Sequence, residues 1–113
     1  MTVAEAHRID IIATRPGSPE VRLIIADHLD WGDVHAHCQQ LQAKFNTYLA
    51  FVESGQMAQR PDVAAIAVPK ISIEVVGIYE PPPAGREFLA RAAEFLAGVG
   101  LGFRFDLEGE QAG

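Results

Sequence analysis

Near residue 30 the chain changes its hydrophobic period. Through "EVRLIIAD", residues 20–27, Val21, Leu23 and Ile25 fall on one side and Arg22, Ile24 and Ala26 on the other, the alternation of a β-strand. From about 33 to 54 the apolar positions come instead at steps of three and four. Val34, Cys38, Leu41, Phe45, Tyr48 and Val52 make one helical stripe, with Gln39, Gln42, Asn46 and Glu53 largely off it. A strand followed at once by so long a helix narrows the fold, because that helix can carry the chain back to a parallel neighbour. Gly55 follows the stripe and suits a helix end.

The remaining punctuation is local. "RIDIIAT" (8–14) reads as a strand joined to 20–27 by "RPGSP", whose prolines and glycine favour a hairpin turn. Residues 56–69 carry two prolines and no clear period, so they read as a loop with a short helical turn in "DVAAIA". "KISIEVVGIYE" (70–80) alternates and then becomes apolar on both faces, as a central strand does. "PPPAGREFLARAAEFLAGVG" (81–100) opens with prolines and closes with glycines, and Phe88, Ala92, Phe95, Leu96 and Val99 form its stripe. "LGFRFDL" (101–107) alternates again as a last strand, and "EGEQAG" (108–113) reads as a frayed tail. The expected fold class is α+β: a two-layer sandwich of ββαβαβ order, with a four-stranded mixed sheet and two helices on one face. Strand order is not readable from the sequence.

Composition excludes some functions. The 113 residues fit one domain, and 49% hydrophobic with 21% charged residues suits a soluble globular protein. Nine Lys and Arg against fifteen Asp and Glu give a net charge of -6, and no two basic residues are adjacent, so nucleic acid is not an expected partner. No apolar run approaches the roughly 18 residues of a membrane span, so no membrane is expected either. One cysteine and an N-terminus without an apolar leader point to the cytoplasm.

The richest chemistry lies in "DHLDWGDVHAHC" (27–38), with three carboxylates, three histidines and the only cysteine. On a helix, two residues apart is about 200° of rotation, so His35 and His37 point to opposite sides and cannot hold one ion together. The segment reads better as a helix start. Asp30 would be the N-cap and Asp33 would sit at N3, with Leu29 and Val34 as a hydrophobic staple; Asp33 as N-cap is the close variant. A metal site from Asp27, His28, Asp30, Asp33 and His37 is the alternative, and it would need the loop residues to fold back over the helix. Trp31 reads as a lid over the core edge or an interface anchor, with His28 and His37 lining the same edge. Lys44 and Tyr48 are four apart beside the stripe, the lysine expected in solvent and the tyrosine packed. No CxxC, HExxH, calcium-loop, GxSxG or phosphate-loop pattern occurs, so no cofactor is expected.

"DHLDW", "LQAKFNTYLAFVESG" and "YEPPPAGREFLARAAEFLAGVGLGFRF" together resemble a family of small bacterial domains of unknown function. Its pattern matches Asp27, His28, Leu29, Asp30, Trp31, His37, Leu41, Gln42, Lys44, Asn46, Tyr48 and Leu49, over most of the chain outside the hairpin turn, the 56–69 loop and the tail. Cys38 stands where that pattern has an aliphatic residue. The resemblance implies a bacterial cytoplasmic domain and supplies no activity, cofactor or partner. The expected function is a non-catalytic protein-binding or oligomerising module, immunity- or antitoxin-like by analogy of size and charge. It would use His28, Trp31, His37, Lys44 and Tyr48 as a candidate binding surface, with an exposed sheet face or edge strand as another means of association. A small metal-binding protein or hydrolase centred on 27–38 is the alternative.

Overall fold

A computed structural model describes residues 11–108 of the protein. The alternating segment forms β2 (Glu20–Asp27), which pairs antiparallel with β1 (Ile11–Thr14) in a register that sets Ile12 opposite Leu23. The expected first strand before Ile11, and the tail after Glu108, lie outside the described residues. Helix α1 (Val34–Glu53) follows, then a 3-10 turn at Met57–Gln59 and the single-turn helix α2 (Pro61–Ala64). Strand β3 (Lys70–Gly77) runs parallel to β2, helix α3 (Pro83–Gly98) crosses over, and β4 (Gly102–Leu107) runs parallel to β3. The sheet order is β1-β2-β3-β4, a mixed four-stranded sheet in the ββαβαβ order that the sequence predicts.

The two long helices cover one face. Phe45 of α1 stacks on Phe88 of α3 with centroids 6.2 Å apart, and meets Phe103 of β4 edge-on at 5.6 Å. Beneath them Val21, Leu23, Ile25, Ile73 and Val75 are fully buried, and each such side chain stabilises the fold by about 1.5–3 kcal/mol relative to exposure. The segment 56–69 is more than a loop. Met57 and Val63 belong to the same core cluster.

Both helices are rotated from the expected stripes. The buried residues of α1 are His37, Leu41, Lys44, Phe45 and Tyr48, while Val34, Cys38 and Val52 are half-buried. The rotation turns His37 inward, to Asp27. In α3 the inner side is Gly85, Leu89, Ala92 and Leu96, whereas Phe95 and Val99 stand 58% and 53% exposed. Gly85 explains that rotation: a Cβ there would come within 2.8 Å of the Trp31 ring, so only glycine lets the helix approach so closely. α3 then ends as Gly100 takes φ +84°, with Leu101 N–H donating to the Leu96 carbonyl at 2.9 Å and Gly100 N–H to that of Ala97 at 3.1 Å.

Candidate functional site

Alternation along β2 puts Asp27 on the same face as Val21, Leu23 and Ile25, so its carboxylate enters the helix-covered layer. A charge there needs a partner. The partner is His37, one turn into α1, whose Nε2 lies 2.6 Å from Asp27 Oδ2. Its Nδ1–H donates to the Asp30 carbonyl at 3.0 Å, and Leu29 N–H donates to the other carboxylate oxygen at 3.2 Å. His37 and Asp27 side chains are 2% and 1% exposed.

The loop that joins them is built from side chain to backbone bonds. Asp30 Oδ1 accepts from Gly32 N–H at 2.9 Å, and Asp33 accepts from Ala36 N–H at 3.0 Å as the N-cap of α1. The expected cap at Asp30 is therefore corrected to Asp33. Asp30 makes a tight turn one step earlier, which leaves its carbonyl facing the imidazole.

Trp31 closes the top. Its indole stacks on His37 with centroids 3.7 Å apart and planes 25° from parallel, and its Nε1–H donates to the Tyr79 carbonyl at 3.3 Å. Its ring also lies close against Gly85 of α3. The cluster thus fastens the end of β2, the start of α1, the segment after β3 and the start of α3 at one place.

Hydrogen-bond chemistry fixes the protons. A carbonyl oxygen only accepts, so Nδ1 carries a proton. The 2.6 Å contact then needs one further proton, on Nε2 as an imidazolium–carboxylate pair or on the acid as two neutral groups. Either way the pair has no net charge, the condition that burial favours. Burial pushes the Asp27 carboxyl above its ordinary value, against the opposing effects of the His37 hydrogen bond and charge. Both imidazole nitrogens are engaged, so the ring in this state has none to offer a substrate or an ion. Burial also pushes the Cys38 thiol up, away from the thiolate that a nucleophile needs.

Of the other expected residues, His28 is exposed beside Asp27, His35 is exposed on the opposite side of α1 from His37, and Trp31 is half-buried. Lys44, expected in solvent, is wholly buried, its Nζ 5.6 Å from the centre of the Tyr48 ring. Tyr48 is buried as well and donates its hydroxyl hydrogen to the Ile24 carbonyl at 3.3 Å. Of His28, Trp31, His37, Lys44 and Tyr48, only the first two reach the surface. Asp27 and His37 meet, but among the described residues no group of three or more His, Cys, Asp or Glu side chains is disposed to hold a metal ion. Tyr79 and Gly85 were not legible as part of the cluster, since one acts through its carbonyl and the other through the absence of a side chain.

A family model described as a family of unknown function (DUF6572) matches residues 1–109. The chain belongs to that family. No curated protein and no solved structure matches it. For this DUF6572 member the fold is α+β, and no helix among the described residues is long and apolar enough to cross a membrane.

Proposed function

We propose that the protein is a non-catalytic protein-binding or oligomerising module, with self-association as its direct form, in a bacterial cytoplasm. The observation that carries this reading is a contrast in exposure. His37, the imidazole best placed for chemistry, is sealed with both nitrogens engaged, while the large apolar residues Phe95, Val99 and Tyr79 stand half or more exposed. Phe95 borders a cavity of about 300 Å³ between the two long helices, with Phe45 and Phe88 in its wall and Gln42 and Arg91 at its rim. An apolar recess with a few polar groups is the form of a contact site rather than of a catalytic one lacking any nucleophile or base.

An immunity-like role, in which the acidic chain neutralises a basic partner, is a narrower version that rests on size and charge alone. The test is molar mass by sedimentation velocity across a dilution series. A mass that rises toward twice the monomer with concentration supports self-association, and a strict monomer at every concentration refutes that form.

A further inference from the structure

Strand β4 is an edge of the sheet: β3 pairs with one side of it, and no described strand lies on the other. An open edge presents unpaired N–H and C=O groups, and proteins that must stay apart blunt such edges with Pro, uncompensated charged side chains (Lys above all), a bulge or a covering element. "GFRFDL" contains no Pro and no Lys, its two charges Arg104 and Asp106 neutralise each other, and its register with β3 runs unbroken from Gly102 to Leu107. The apolar side of the strand is also left unfinished. Phe103, Phe105 and Leu107 are each only half-buried, although α3 packs along β4.

The strand is chemically self-complementary about Phe105. Laid antiparallel on a second copy with Phe105 opposite Phe105, it sets Arg104 opposite Asp106 and Asp106 opposite Arg104 on the face away from the helices. On the helix face the same register sets Phe103 opposite Leu107. Directly opposed residues in an antiparallel pair lie roughly 4.5–5.5 Å apart, close enough for both kinds of contact. Sliding the copies to the nearest same-face registers places Arg104 opposite Arg104 or Asp106 opposite Asp106, like charges in each case. Arg104 and Asp106 already join along the strand, Nε to Oδ2 at 2.6 Å, with 65% and 20% of their side chains exposed. They can extend that pair into a four-charge ladder. The net charge of -6 opposes contact between identical surfaces in general, and the charges of β4 cancel.

We propose that two copies of the chain join edge to edge through β4 in the Phe105-centred antiparallel register. The two sheets become one of eight strands, related by a two-fold axis, with both helix layers on the same face. This rests on the self-association reading above and places the seam between copies at β4 rather than at the Phe95 recess, with a stated register.

Sedimentation velocity on the wild type, on Arg104→Asp, on Asp106→Arg and on an equimolar mixture of the two variants tests it, with circular dichroism to verify folding. Each variant alone turns two opposite-charge pairs into two like-charge pairs, and dimerisation should weaken by about tenfold or more. The mixture should recover a dimer, because the all-acidic strand of one variant faces the all-basic strand of the other. A wild-type dimer untouched by either substitution overturns the β4 seam while the self-association reading stands. A mixture that fails to recover overturns the register, and a wild type monomeric throughout overturns both. Amide hydrogen exchange on the wild type needs no variant: raising the concentration should slow exchange within residues 103–107, and slowing only elsewhere overturns the seam.

Discussion

Two carboxylates on neighbouring strands of one sheet meet a basic group, and the surroundings give them opposite characters. Asp27 faces the helix layer and pairs with His37, both nearly without solvent, and burial is the largest influence on its proton. Glu74 faces the other way, its side chain only 7% exposed, and receives Arg22 in a two-bond contact, Nε to Oε2 at 2.6 Å and Nη2 to Oε1 at 2.8 Å, with the arginine side chain 44% exposed. The Arg22 hydrogen bond is the largest influence there, and it holds Glu74 below the usual carboxylate range. Both carboxylates are buried, and their partners differ: one whose partner stays half in water is stabilised by that partner, while one whose partner is buried with it costs the fold unless that partner and its covering group are both in place.

Removing His37 should have the largest effect. His37→Ala leaves Asp27 buried without its partner and empties the space under Trp31, so stability in urea should fall by about 3–5 kcal/mol. Arg22→Ala should cost about 1 kcal/mol, since water can replace a half-exposed guanidinium. Equal losses would mean that burial of the basic partner does not separate the two sites. Next in size is Gly85→Ala, which drives a methyl into the Trp31 ring and should cost about 1–3 kcal/mol by the same measurement. An alanine that stabilises, as helix propensity alone would suggest, would show that α3 does not bear on the cluster.

How much of this could be read beforehand follows the same division. Alternation in 20–27 and the three-and-four spacing in 34–53 marked the elements because apolar side chains report burial directly. The same scale misjudged His37 and Lys44, polar residues that α1 turns inward, and put Phe95 and Val99 in the α3 stripe although they stand outside. One signal was present. Extending the inner row Val21, Leu23, Ile25 by two residues reaches Asp27, and a carboxylate on that row demands a buried partner within reach of the next helix. Strand order was hidden for another reason: it depends on where crossovers of more than 20 residues land, which local pattern does not encode.

The pH dependences should be the smallest effects and should run in opposite senses. Asp27 has a raised pKa, so its contribution to stability is fully present below its ordinary value of 3.8 and is lost as pH rises through the raised one. Glu74 has a lowered pKa, so its contribution is present above its ordinary value of 4.5 and is lost as pH falls through the lowered one. Chemical unfolding from about pH 7 to about pH 3 should therefore show the wild type gaining on Asp27→Asn with acidification and losing ground to Glu74→Gln. Parallel curves for the two variants would remove the distinction.

Asp27, His37 and Trp31 form a closed fastening with no free imidazole nitrogen. Nitrogen-15 NMR of the histidine rings reads this arrangement at the atoms concerned. His37 Nδ1 should carry a proton at neutral pH and exchange it with water far more slowly than the exposed ring of His35. A His37 ring that exchanges as fast as His35, or that lacks the Nδ1 proton, would contradict it.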